Sequence, residues 1–351
     1  MTRRALFVAV CLTSFLLAPA SVQAWTGKDI DKWSTSCTSG LTCSLRYENF
    51  YQQFGAFEFR RSGALSSDVA LWLPKPPRFI KNLDPRGVFR LDVDGKEVLH
   101  LPLQQLEFDA ERGKFVLTDR ASVLILLEAM KAGDVFQLSY GGAIGGFSSR
   151  MDLAGFRGAL FFIDDIQGRR GRNDALLAVG QAVPEGPDSK DIESVDDIPA
   201  SIRADFTAPG GSCTGSFMAE DLKRYNGFDI SISGIRLVLV PCADGGAHNQ
   251  GYALYRGYYN GTLSRISFPD IAEGKPSISE IEYNVDFDAS TRIMTAFLKD
   301  NAMATCGVWH KWELTLEGHL VLLEKRAGEE CDNGNEGPAT FPLEWPVREK
   351  P

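Results

Sequence analysis

The sequence predicts an α+β, β-rich protein: an N-terminal strand domain with two packed helices, followed by a C-terminal antiparallel β meander or small barrel. Three observations carry this. Short segments that alternate apolar and polar, or run wholly apolar between Gly, Asn and Asp, recur along both halves, as half-buried and buried strands do. Two stretches carry apolar residues at helical spacing, and both lie in the first half. An acidic, proline-rich stretch stands between the halves. The 351 residues, 44% hydrophobic and 24% charged, have ordinary globular composition and length for about two domains.

In chain order, Leu41 to Tyr47 and Ala56 to Arg61 show mixed alternation, and VALWL (Val69 to Leu73) is a buried-type run. Phe89 to Val93 alternates cleanly, and Asp94-Gly95 signals a hairpin turn before Glu97 to Leu101. Thr118 or Asp119 can cap a helix over Arg120 to Ala132, stopped by Gly133. Leu124, Leu127 and Met130 mark its face, and because it is apolar nearly all round it should be well buried. Val135 to Tyr140 reads as a strand. The glycine-dense stretch Tyr140 to Gly146 reads as a flexible turn before a second helix from about Met151 to Ile166, with Leu153, Phe156, Leu160 and Ile163 on one face.

Residues 182–212 carry seven acidic and two basic residues with Pro184, Pro187, Pro199 and Pro209, and read as an extended acidic linker. Beyond it come strands at Phe228 to Ile232, Ile235 to Val240, Tyr252 to Tyr259, Leu263 to Phe268, Ile281 to Phe287, Ile293 to Lys299, Trp309 to Leu316 and Leu320 to Arg326. In the fifth, Ile281, Tyr283, Val285 and Phe287 should share one face. Turns are expected at Asn260-Gly261, Asp288 to Ser290 and Glu317-Gly318. The organisation expected is therefore 25–181 as the N-terminal α+β domain, 182–212 as the linker and 213–351 as the C-terminal β domain.

Residues 1–24 read as a signal peptide. Arg3 and Arg4 form the positive start, Ala5 to Leu17 is the apolar run, and Val22-Gln23-Ala24 is a small-x-small cleavage site. The apolar run falls short of the ~20 residues a spanning helix needs, so the expected address is the periplasm, with cleavage after Ala24 and no transmembrane segment in the mature chain. Cys11 leaves with the signal. Cys37, Cys43, Cys213, Cys242, Cys306 and Cys331 remain, and an even set in an exported chain implies disulfides. Six cysteines allow about 15 connectivities; spacing favours the local one, Cys37–Cys43, Cys213–Cys242 and Cys306–Cys331. A zinc site would compete, but there is no C-x-x-C, and His100, His248, His310 and His319 are not at ligand spacing.

Lys plus Arg total 37 against 46 Asp plus Glu, a net charge of −9. Such a chain lacks the basic face that nucleic-acid binding needs. The acidity is uneven: residues 25–181 have 20 basic and 19 acidic residues, 213–351 have 13 and 20. Catalytic patterns fail one by one. Tyr140 to Gly146 lacks the Lys of a phosphate loop and the phasing of a dinucleotide turn. Asp286-Phe-Asp288-Ala-Ser290 has Thr291 and Phe297 where a calcium loop needs Gly and Glu, and suits a tight turn. There is no G-x-S-x-G. His310 beside Trp309 suits an interstrand position and His319 a turn; Asp164-Asp165 and Glu329-Glu330 suit solvated faces. Of Tyr252, Tyr255, Tyr258 and Tyr259, at least half should pack in the core. The basic cluster Arg169, Arg170 and Arg172 is either a set of helix-terminal cations or an anion-binding site for the acidic linker or an anionic envelope polymer.

Several stretches together resemble the bacterial exported family known as domain of unknown function 1176. They are Trp33-x-x-x-Cys37-x5-Cys43, Leu153-Ala-Gly-Phe156 running into Ala159 to Arg169, Leu237 to Cys242, Thr305-Cys306-Gly307, Trp309 and the late Cys331. The first half also resembles the invasion-associated locus B proteins through its early cysteine pair and Gly-Phe helix. The first resemblance implies a periplasmic address and the pairs Cys213–Cys242 and Cys306–Cys331; it supplies no catalytic residue. The reading is a noncatalytic periplasmic binding or envelope-support protein, with no cofactor or metal and with an envelope protein or polymer as partner. The alternatives are an envelope hydrolase with a dispersed Asp/Glu/His site, or a secreted inhibitor or immunity-type factor.

Overall fold

The computed structural model describes residues 26–47, 57–75, 86–110, 112–142, 145–213, 219–225, 227–244, 246–258, 261–331 and 337–346. The expected signal peptide and its cleavage site lie outside the described residues, as do Asn260 of the expected Asn260-Gly261 turn and Tyr259.

The chain is β-rich, as its patterning predicts. In the first half, seven antiparallel strands form one sheet in the order Thr26–Ile30, Trp33–Cys37, Cys43–Tyr47, Glu58–Arg61, Val69–Pro74, Lys114–Leu117, Glu107–Asp109. A second sheet runs Gly145–Asp152, Val135–Gly142, Val88–Val93, Lys96–Pro102. Asp94 and Gly95 both take positive φ (50° and 77°), the left-handed pair that a two-residue hairpin turn needs.

Two helices pack on these sheets. The first, α1 (Arg120–Ala132), is capped by the Asp119 carboxylate, which accepts the Ser122 N–H at 2.9 Å. Its buried face is Val123, Leu126, Leu127 and Met130, one position round from the expected stripe; Leu124 and Ile125 face outward. An all-round apolar helix does not specify which stripe is covered; the sheet beneath selects it. The second, α2 (Phe156–Ile166), buries Phe156, Ala159, Leu160 and Ile163. It begins later than expected because Met151 and Asp152 end a strand. Gly141 pairs with Gly146 and Gly142 with Gly145, so the glycine stretch turns strand into strand rather than strand into helix. Residues of both sheets and both helices share one core.

In the second half, Asp188–Ile192, Gly227–Ile232, Ile235–Asp244, Gln250–Tyr258 and Ser264–Ile266 form a sheet in that order, with Glu282–Tyr283 pairing onto Gln250–Tyr258. Phe268–Ala272 and Lys275–Ser279 make a hairpin. The last sheet runs Asp286–Asp288, Ile293–Lys299, Gly307–Leu314, Leu320–Gly328, Leu343–Trp345. Neighbours in the sheet are mostly neighbours in the chain, a meander; among the described residues no sheet closes into a barrel. The run Leu237-Val238-Leu239-Val240 is wholly buried because its sheet is covered on both faces. Leu237 and Leu239 join a core shared with Met294 and Trp312 of the last sheet, while Val238 and Val240 meet Ile198, Ile202 and Phe206.

Those last three residues overturn the extended-linker reading of 182–212. Asp188–Ile192 is a strand paired to Gly227–Ile232, Ala204–Thr207 is a short helix, and the segment between covers the back of the sheet. The apolar residues stand four apart (Ile198, Ile202, Phe206), a helical-turn spacing hidden among acids and prolines. Two expected strands also split. The run Ile281 to Phe287 breaks at Asn284, whose φ is 48° and whose Nδ2 donates to Asn249 Oδ1 and the Phe297 carbonyl, both at 2.8 Å. Glu282 is therefore buried and the expected single face is lost. Leu263 to Phe268 likewise divides into two short strands.

Candidate functional site

Strands Trp33–Cys37 and Cys43–Tyr47 place Cys37 directly opposite Cys43, and a disulfide closes the tip. The other two bridges are Cys213–Cys242 and Cys306–Cys331, the local pairing that spacing favours. The tip, residues 38–42, leaves its own sheet and enters the second half. Leu41, with φ 60° and 5% exposed, joins the core built on Phe228, Leu237 and Trp312. Thr38 Oγ1 donates to Asp191 Oδ1 at 2.7 Å, Ser39 Oγ donates to Asp286, and Ser189 Oγ donates to the Gly40 carbonyl at 2.8 Å. A Cβ at Gly40 would stand 2.1 Å from Asp191 Oδ1, so glycine alone fits.

Strand Asp188–Ile192 separates two clefts at this junction. The larger, of about 720 Å³, is lined by Ser66 and Leu65 from the first half and by Lys190, Asp229, Ser231 and Arg236 from the second. In it Arg236 forks onto Asp229, Nε to Oδ1 at 2.8 Å and Nη2 to Oδ2 at 2.6 Å. The smaller, of about 330 Å³, has hydroxyls on its walls (Ser36, Thr38, Thr42, Ser44) and the charged groups Arg46, Arg60, Arg112, Lys223, Asp191 and Glu193. Arg60 and Arg112 converge on one carboxylate, Glu193, at 2.5 and 2.9 Å. Behind them the Trp72 indole lies 5.8 Å from Arg60, 5.2 Å from Arg112 and 5.9 Å from Lys114, a cation–π platform for all three. Arg46 and Lys114 pair with the buried Glu58.

The two carboxylates of the smaller cleft differ in their electrostatics. Burial pushes Glu193 up, but Arg60 and Arg112 outweigh it and hold the group below the ordinary carboxylate range. Burial pushes Asp191 up, and its hydrogen bonds with Thr38 and Thr42 only partly offset this. Asp286, under Ser39, is also raised by burial. A raised folded-state pKa means that the folded form binds the proton more tightly, so stability is lost as pH rises through the window above the ordinary carboxylate value. Asp191→Asn keeps the acceptor for Thr38 and removes the charge. It should raise the thermal midpoint at neutral pH, with the gain shrinking toward about pH 4, where Asp itself is protonated. A midpoint lowered equally at every pH would contradict this reading.

The residues singled out by sequence lie elsewhere. Arg169 and Arg172 do not face solvent with Arg170: they are 1% and 5% exposed and point inward. Asp174 Oδ2 takes Arg169 Nη1 and Arg172 Nη2, both at 2.8 Å, and Arg172 Nε reaches Oδ1 at 2.9 Å. Arg61 Nη2 donates to the Asp174 carbonyl at 2.6 Å. Arg169 also donates to the Ala64 carbonyl, and Arg172 to the Glu185 carbonyl within the supposed linker. The anion these arginines hold is thus internal. Arg170 is half exposed and paired with Asp165. Asp164 is fully buried and accepts the amides of Leu176, Leu177 and Ala178 at 2.7, 2.8 and 3.0 Å, so it diverges from Asp165.

His310 is buried, with Nε2 3.0 Å from Asp270 Oδ1 and Nδ1 3.5 Å from Glu282 Oε2, and it stacks on Trp312. Lys325 Nζ lies 3.1 Å from the same Asp270 oxygen. This histidine is interstrand, as its position beside Trp309 suggests, but chain order gave no sign of its two carboxylates. Among the described residues no group of three or more His, Cys, Asp or Glu is placed to hold a metal ion. His319 sits exposed at a turn, and Tyr252 and Tyr255 are core residues while Tyr258 is exposed. Asp288 accepts the Ser290 and Thr291 amides, the tight turn its motif indicates. The cleft residues that sequence reasoning missed are Arg60, Arg112, Asp191 and Glu193. No motif joins them, and the strand that carries Asp191 and ends beside Glu193 was hidden in acidic composition.

Fold and clefts together define a β-rich, disulfide-stapled protein whose halves meet across polar, charged clefts. No helix among the described residues is long and apolar enough to cross a membrane. The chain belongs to the family described as "Protein of unknown function (DUF1176)", which matches residues 28–348. It is similar to "Uncharacterized protein YpfG" of Escherichia coli (strain K12), at 23% identity over 373 residues covering 97% of each chain. The likeness to invasion-associated locus B proteins is not shown by these comparisons, and no solved structure matches with significance.

Proposed function

We propose that this is an exported, noncatalytic binding protein of the bacterial envelope, with its ligand seated in the clefts at the junction of the halves. The observation that carries the reading is the placement of strand Asp188–Ile192. It puts polar, hydroxyl- and charge-bearing walls from both halves around two clefts of about 330 and 720 Å³, in the range of ligand sites. Three disulfides suit an oxidising compartment. A hydrolase would need its base in a cleft beside a nucleophile or water. His310, the histidine with two carboxylates beside it, lines neither junction cleft.

The buried Asp270–His310–Glu282 cluster is the one feature that favours the hydrolase alternative, and it sets the test. Soluble envelope saccharides and peptides are passed over the immobilised oxidised protein, and both retention and product release are followed. Retention without product is expected, unchanged in His310→Gln. Product that disappears in His310→Gln would overturn the binding reading.

A further inference from the structure

We infer that the smaller junction cleft is a receptor for a carboxylate borne on a polyhydroxylated, saccharide-like ligand, and that Glu193 holds the place the ligand's carboxylate would take. The inference rests on the binding reading above and names the ligand class of that site. Its basis is the arrangement around Glu193. Arg60 and Arg112 come from separate strand regions of the first half, yet both deliver guanidinium nitrogens to the two oxygens of this one carboxylate, Arg60 to Oε1 and Arg112 to Oε2. Paired guanidinium donors on both oxygens are the geometry by which proteins recognise carboxylates.

Neither guanidinium is sealed in. The side chains of Arg60, Arg112 and Glu193 are 22%, 35% and 38% exposed, so a second carboxylate has access to the same donors. The cleft wall also carries Arg46, which pairs with Glu58, and Lys223, and Arg112 reaches Asp109 as well as Glu193. The remaining wall is hydroxyl-rich, with Ser36, Thr38, Thr42 and Ser44, and suits hydroxyl groups on the ligand body. The volume of about 330 Å³ accommodates one sugar-sized unit.

Because Glu193 competes for the arginines, its removal has a direction opposite to that of an ordinary binding residue. Glucuronate, glucose and inorganic phosphate are titrated into the oxidised protein by calorimetry at low and physiological salt. Glucuronate should bind and glucose should not. Glu193→Gln should bind glucuronate about tenfold more tightly, the arginines being released. Arg60→Ala and Arg112→Ala should each weaken it at least about tenfold. Arg112→Lys, which keeps the charge and loses the fork, should recover only part. Circular dichroism and the thermal midpoint show that each variant is folded; Arg112→Lys carries the test if either alanine variant is not.

Glucuronate binding that is unchanged or weaker in Glu193→Gln would overturn the inference. So would phosphate binding as tightly as glucuronate in the parent and in Glu193→Gln, since the site would then not select a carboxylate. If no carboxylate binds while neutral saccharides are still retained in the immobilisation experiment, the inference falls and the binding reading stands. If nothing is retained, both fall.

Discussion

Asp174→Asn is expected to cost about 3 kcal/mol of unfolding free energy, measured as a lowered urea midpoint of the oxidised protein. Asp174 is the hub of a buried charge cluster: it is met by the guanidiniums of Arg169 and Arg172, and its own carbonyl by that of Arg61. Those three side chains are 1%, 7% and 4% exposed. Burial lowers the Arg61 pKa to about 10 and also lowers that of Arg169, a sign of how costly their charge is here. Burial pushes Asp174 up, but the Arg172 hydrogen bonds and the neighbouring charges hold it below the ordinary carboxylate range. An amide in its place leaves three guanidiniums against Asp164 alone, and breaking such a cluster from one side is far worse than never having built it.

The pH dependence has a definite sign. A depressed carboxylate contributes stability above the ordinary carboxylate pKa and loses it as pH falls through the folded value. The gap between parent and Asp174→Asn should therefore close in acid. Asp165→Asn is the control: Asp165 is half exposed and pairs with the half-exposed Arg170, and its loss should cost within about 0.5 kcal/mol. Equal costs for the two variants would show that the arginine cluster is not structural.

Removing Cys213–Cys242 as the double alanine variant should cost roughly 3–4 kcal/mol, from the loop closed by a sequence separation of 29. The bridge ties the covering segment to strand Ile235–Asp244 and lies inside the core it shares with Ile198, Ile202 and Phe206. Its loss should thus act locally first. Amide exchange in residues 198–206 should quicken well before the last sheet opens. Cys37–Cys43 closes a separation of only 6 and should contribute about 2 kcal/mol by the same reasoning. A urea midpoint unmoved in the Cys213→Ala/Cys242→Ala variant would mean that the covering segment is held by packing alone.

Legibility followed the range of the forces. α1 was read to its ends because its signals are adjacent: Asp119 caps, Gly133 follows, and the apolar residues between repeat at helical spacing. The Asp94-Gly95 hairpin was legible for the same reason. Trp33–Cys37 was missed because Ser34, Thr35 and Ser36 look like loop, although Thr35 is 1% exposed and Trp33 is fully buried in the strand. Strand Asp188–Ile192 was missed because five residues with three charges (Asp188, Lys190, Asp191) form a strand only when a partner, Gly227–Ile232, supplies the hydrogen bonds.

Composition, periodicity and short-range spacing were enough to indicate the β-rich class and the confinement of the two long helices to the first half, and to favour the three local disulfides among about 15 connectivities, because each depends on residues close together in the chain. The clefts needed the folded molecule. Arg60 meets Glu193 across a separation of 133 residues, Arg61 meets Asp174 across 113, and Ser39 meets Asp286 across 247. Whether a charge faces solvent, another charge or a ligand depends on burial and on what lies opposite, and chain order records neither. So Arg169 and Arg172, which read either as helix-terminal cations or as an anion-binding site, hold Asp174 inside the protein. The charged cleft lies instead along a segment that composition had marked as linker.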